Sequence, residues 1–115
     1  MAASALTPVD VARTGVDIAG VAANVDGNFW TNTGAEMLLV TNGGGSPINV
    51  TLVTQATVDG NAVADPVVAV GNGVTKAIGP FPRYVFNDAT GYVQVTYSAV
   101  TSVTVKVLRL TAAGA

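Results

Sequence analysis

The sequence predicts an all-β chain: a single antiparallel β-sandwich, jelly-roll-like, of seven or eight short strands behind an extended N-terminal arm. Apolar residues recur with period two, not with the helical period of about 3.6. The apolar half of the chain is led by 21 Val, joined by 14 Thr, both β-branched and suited to a pleated surface. Gly, Asn and Pro break the pattern every 8–12 residues, as in a sandwich of short strands.

In chain order, Pro8–Ala23 is the best helix candidate. Its Val and Thr content and the interruptions at Gly15 and Gly20 argue against one. Residues 1–23 therefore read as an extended arm with one strand near Asp17–Val21, and residues 24–115 as the sandwich. Glu36–Asn42 is apolar on both faces (Leu38 and Val40; Met37 and Leu39), which predicts a central strand. In Ile48–Gln55, Ile48, Val50 and Leu52 share one face, opposite Asn49 and Thr51. Val67–Val70 and Val74–Ile78 flank Gly71-Asn72-Gly73 and predict a hairpin. Tyr84–Phe86 and Tyr92–Tyr97, around residues 87–91, predict another. Val103–Leu110 closes the chain with Val103, Val105 and Val107 inward. Strict alternation then turns Arg109 inward and Leu108 and Leu110 outward. Either a bulge resets the register, or the strand end is buried on both sides and needs a covering surface.

Composition narrows the chemistry. Without His or Cys there is no Ser-His-Asp triad, thiol nucleophile, disulfide or Cys-ligated metal. Five Lys+Arg and a net charge of −2 make no nucleic-acid patch. Residues 37–58 carry no charge, but Asn42–Pro47 breaks them, so no membrane span is expected. Residues 1–16 lack the pattern of a signal peptide. Asp10, Asp17, Asp26, Asp59, Asp65 and Asp88 sit among turn residues, where Asp bonds its own backbone. The competing reading, a carboxylate pair or a calcium site, lacks the ligand spacing. Gly43-Gly44-Gly45 has no following Lys-Ser/Thr and reads as a turn, not a phosphate loop. The expectation is a non-enzyme with no cofactor and no bound metal.

Two features point to partners. Gly79-Pro80-Phe81-Pro82-Arg83-Tyr84 is held extended by its prolines and belongs at a sheet edge or in a connection. Phe81 is either a rigid anchor for a partner, with Arg83 beside it, or an aromatic cap on the core. Phe29-Trp30 poses the same choice, with Trp30 expected to be buried. The arm carries Leu6, Val9, Val11, Val16 and Ile18. Fixing it costs about 1–2 kcal/mol per residue, which only burial of these side chains offsets. It must lie on a neighbour, together with Leu108 and Leu110, or pair as an edge strand of its own sandwich. The candidate partner-binding residues are Leu6, Val9, Val11, Phe81, Arg83, Leu108 and Leu110.

Leu6-Thr7-Pro8, Arg13-Thr14-Gly15, Ala22–Asn28, Leu38–Gly43, Ile48–Leu52, Val58-Asp59-Gly60 and Ile78–Pro82 with Tyr84 are spread between residues 6 and 84. In these strings the sequence resembles small virion proteins of tailed bacteriophages, the head decoration (cement) proteins. The resemblance is most specific in the Gly-Pro-Phe-Pro segment and in the Asn-Gly-Gly turn after an apolar strand. It implies an all-β protein made in a bacterial cytoplasm that binds the outer surface of an assembled capsid. Its partner would be the major capsid protein, with a homotrimer admitted and neither nucleic acid nor membrane involved. A head–tail connector or fibre component, or a carbohydrate-binding sandwich, are the alternatives.

Overall fold

The computed structural model describes residues 3–110. Strands β1 (Ser4–Ala5), β2 (Val9–Asp10) and β3 (Val21–Ala22) come from the arm. They are followed by β4 (Asn28–Thr31), β5 (Glu36–Asn42), β6 (Ile48–Val53), the ribbon β7 (Thr57–Val58) and β8 (Asn61–Ala62), β9 (Val67–Val70) and β10 (Thr75–Ile78). A single helical turn, α1 (Arg83–Phe86), precedes β11 (Tyr92–Tyr97) and β12 (Val103–Arg109).

One sheet runs β1-β4-β11-β6-β9 and the other β10-β5-β12-β2, with β3 also on β12. The pairing is nested: β3 with β12, β4 with β11, β5 with β10, β6 with β9. First with last, second with seventh, third with sixth and fourth with fifth is an antiparallel ribbon rolled on itself, a jelly roll. The sheets are mixed rather than purely antiparallel, because the arm adds two parallel pairs, β1 on β4 and β2 on β12.

The expected strand faces hold. Leu38, Val40, Ile48, Val50, Leu52, Val93, Val95, Val103, Val105 and Val107 are buried between the sheets, as is Trp30. β5 lies centrally, between β10 and β12.

Both expected hairpins are corrected. β9 and β10 do not pair; they are edge strands of opposite sheets, and Gly71-Asn72-Gly73 is a corner. A three-residue link fits a corner as well as a hairpin, and β6 and β5 offer the longer apolar partners. Tyr84–Phe86 is helical, because Pro80 and Pro82 have no N–H to give a ladder. Phe86 N–H and Asn87 N–H instead close a turn on the Pro82 and Arg83 carbonyls.

The arm is part of the sandwich, not a separate segment. Leu6 N–H donates to the Phe29 carbonyl, Val11 N–H to that of Arg109 and Ala23 N–H to that of Val103. The chain thus reaches both sheets along one flank. Gly27 (φ +97°) and Gly20 make the fit possible: a Cβ would stand 2.5 Å from the Val95 carbonyl oxygen and 2.7 Å from that of Val105.

Three asparagines are buried, each where the chain changes sheet. Asn28 Oδ1 accepts from Asn24 N–H and the Tyr97 hydroxyl, while its Nδ2 donates to the Ser4 carbonyl. Asn32 Nδ2 donates to the Phe81 carbonyl and to Asn87 Oδ1, and its Oδ1 accepts from Gly34 N–H. Asn42 Nδ2 donates to the Ser46 and Val70 carbonyls, and its Oδ1 accepts from Gly44 N–H. Asn42→Ala removes the second hydrogen bond of the Val70 carbonyl inside the core. With the Ser46 and Gly44 bonds also lost, urea unfolding is expected to show a loss of about 2–4 kcal/mol. An unchanged midpoint would show that the Asn42 amide is not holding the corner.

Candidate functional site

One end of the sandwich gathers most of the unusual residues. It is built from the β4–β5 loop, the Gly79–Gly91 connection, the end of β12 and the arm near Val11. Alternation along β5 and β12 places Glu36 directly opposite Arg109, both turned inward. Glu36 is 1% exposed. Arg109 Nε donates to Glu36 Oε2, and Arg109 Nη1 lies 3.5 Å from Asp10 Oδ1 of β2. Thr33 completes the set, its N–H donating to Glu36 Oε1 at 2.6 Å and its hydroxyl to Oε2 at 2.9 Å. Burial pushes the Glu36 carboxyl up. The Arg109 hydrogen bond, the two Thr33 donors and the Arg109 charge outweigh it and hold the group below the usual carboxylate range. Arg109 is held above its ordinary value, first by its hydrogen bond to Glu36. Every donor aimed at Glu36 is engaged, so the carboxylate is a structural tie between β5, β12 and the arm.

This resolves the end of β12. The pairing with β5 runs unbroken from Val103–Asn42 to Arg109–Glu36, with no bulge. Leu108 is buried on the outer face, where Met37 and Val9 are its cross-strand neighbours. The cover comes from this chain's own arm and not from a partner.

The Gly79–Asn87 connection forms the neighbouring wall. Phe81 is 2% exposed, its ring 5.4 Å from Trp30 and 5.5 Å from Phe86 between centroids. Its carbonyl is held by Asn32, and Asn87 Nδ2 donates back to the Asn32 carbonyl. Gln55 N–H donates to the Val85 carbonyl from the far side. On this clamped segment Arg83 points to solvent and Tyr84 is 84% exposed, the most exposed large apolar side chain of the described residues. Gly79 and Pro80 also edge an open apolar groove of about 340 Å³, shared with Met37, Ala77, Ile78 and Leu110.

The seven candidates therefore divide. Leu6 and Phe81 are buried in the chain's own core, and Leu108 is buried on the outer face beneath the arm. Val9 is half-buried beneath the arm's own pairing, while Val11, Arg83 and Leu110 are exposed. Tyr84 is the residue that alternation misses. A strand would put Tyr84 and Phe86 on one face; a helical turn puts them on opposite sides. Two prolines two positions apart were the available signal that this segment could not be a paired strand.

Asp17 and Asp88 bond neighbouring backbone, while Asp65 reaches Thr54, 11 residues away in sequence. Asp17 Oδ1 accepts from Ala19 N–H, Asp65 Oδ1 from Thr54 N–H and hydroxyl, and Asp88 Oδ1 from Thr90 and Tyr92 N–H. The Tyr92 N–H first, then Gln94, hold the Asp88 carboxyl below its usual range. Among the described residues no three His, Cys, Asp or Glu side chains gather as a metal site.

Because the folded-state pKa of Glu36 is depressed, its contribution is present above the unfolded value of about 4.3 and is lost as pH falls through the folded value. Glu36→Gln at pH 7 is expected to cost about 2–3 kcal/mol, at the low side of a broken buried pair because Arg109 is part-exposed. Between about pH 5 and 3 the wild type should lose more stability than the Gln variant. Parallel pH profiles in urea titrations would contradict this role. Compared with protein-family models, with curated proteins and with solved structures, the chain matches none.

Proposed function

We propose that this chain is a structural protein of a tailed-phage virion that binds the outer surface of the assembled capsid and bridges neighbouring major capsid protein subunits. The observation that carries this reading is the rigid mounting of Arg83 and Tyr84. An exposed Tyr and Arg on a segment already fixed by Phe81, Asn32 and Asn87 lose little freedom when a partner covers them, which suits an interface anchor. The Gly79–Pro82 segment that mounts them is, with the Asn42-Gly43-Gly44 turn, where the sequence resembles decoration proteins most specifically. A protein that binds only the assembled shell stabilises it by linkage, and repetition over many equivalent sites makes modest affinity per site sufficient.

The test is co-sedimentation with expanded capsids assembled from a tailed-phage major capsid protein. Tyr84→Ala is expected to weaken binding by about 30-fold, the effect of a hot-spot loss of about 2 kcal/mol. The melting temperature should stay within about 2 °C of wild type, because the side chain lies outside the core. Equal occupancy by wild type and by an Arg83→Ala/Tyr84→Ala double variant would reject this surface.

A further inference from the structure

The edges of the two sheets are not treated alike. On one flank the arm covers them, β1 on β4 and both β2 and β3 on β12. On the other flank β9 and β10 are both edge strands. β9 is guarded, since Lys76 Nζ donates to its Ala69 carbonyl at 2.7 Å. β10 has no such guard. Asn42 N–H donates to the Val74 carbonyl, so alternation turns Lys76 and Ile78 toward β5 and the N–H and C=O of Thr75 and Ala77 outward. These outward groups have no partner among the described residues. The strand is free of proline and bulge, and its one charge, Lys76, is folded back toward β9.

We infer that β10 is a homodimer edge: two copies of this chain pair Thr75–Ile78 antiparallel about a two-fold axis, joining their sheets into one. A second copy is the occupant because the strand is self-complementary: of the registers that keep the two Lys76 apart, one centred on Thr75 would pair Ala77 with Gly73 of the corner (φ +75°), which leaves the register centred on Ala77. Residues that face each other across a two-fold must point to the same side of the sheet. Centring the axis on Lys76 would set two lysines opposite one another. Centring it on Ala77 sets Lys76 against Ile78 of the second copy and leaves only small side chains on the axis. Thr75 of the second copy then faces Gly79, at the mouth of the groove lined by Ala77, Ile78 and Met37. That groove is apolar and already contains no unpaired charge, so covering it strands nothing.

Sedimentation equilibrium of the full chain at tens of micromolar tests this. The wild type is expected at twice 11.5 kDa. Ala77→Pro, which removes an outward donor without touching the β5 ladder, should give a monomer. So should Ala77→Lys, which brings two like charges together on the axis. Both should keep the β-type far-UV spectrum. Thr57→Lys, the same charge on the exposed β7–β8 ribbon outside the β10 edge, should remain a dimer. A monomeric or trimeric wild type, a dimer that survives both Ala77 changes, or loss of the dimer in Thr57→Lys would overturn the inference.

Discussion

A rolled ribbon must carry its backbone from one sheet to the other at almost every turn, and the polar groups of a crossing have no ladder to pair with. Of the seven connections among the eight nested strands, only β6 to β9 stays within one sheet. Unmet buried N–H and C=O groups are among the costliest defects a fold can contain. The chain answers with amides. Asn28, Asn32 and Asn42 each present a donor and an acceptor to a crossing, donating to the carbonyls of Ser4, Phe81, Ser46 and Val70. With only 10% charged residues there is little else to do this work. A short neutral amide also avoids the larger desolvation penalty of a buried charge.

The one charged group buried with them, Glu36, sits where three parts of the chain meet. Its Arg109 partner lies on the last strand, Asp10 on the arm and Thr33 on the β4–β5 loop. That end of the molecule is therefore stiff, and stiffness there sets what the surface can offer. Phe81 lies in the core and Leu108 beneath the arm, while Arg83, Tyr84, Val11 and Leu110 stand out from a fixed base. The arm, having buried Leu6 and paired with both sheets, contributes mainly by closing one flank and leaving the other for association.

Much of the fold was legible because period-two alternation depends only on local chemistry. The inward faces of β5, β6, β11 and β12 follow directly from Leu38, Val50, Val93 and Val105 and their neighbours. What alternation does not encode is which strand sits beside which. Gly71-Asn72-Gly73 serves a hairpin or a corner equally, and β9 and β10 were separated by the pull of longer apolar strands in opposite sheets. β4 shows no apolar alternation, because one of its two inward positions is the polar Asn28 and the other Trp30. Arg109 was flagged as an inward charge, yet its partner, Glu36, lay 73 residues away in sequence. At the candidate surface, Tyr84 was hidden by reading a helical turn as a strand, and Asn32 by the ordinariness of asparagine in turns.

The account rests on the arm being an integral part of the rolled ribbon, so that the functional surface lies elsewhere. Residue-resolved amide hydrogen exchange on the full chain tests this most directly. Val11 and Ala23 N–H donate at 2.9 Å to the Arg109 and Val103 carbonyls. They should exchange on the same timescale as the Leu39 and Lys106 amides, which pair β5 with β12, opening only when the whole sandwich opens. Exchange of Val11 and Ala23 near the rate of an unstructured chain, with β5 and β12 still protected, would mean that the sandwich closes without its arm and would contradict the account.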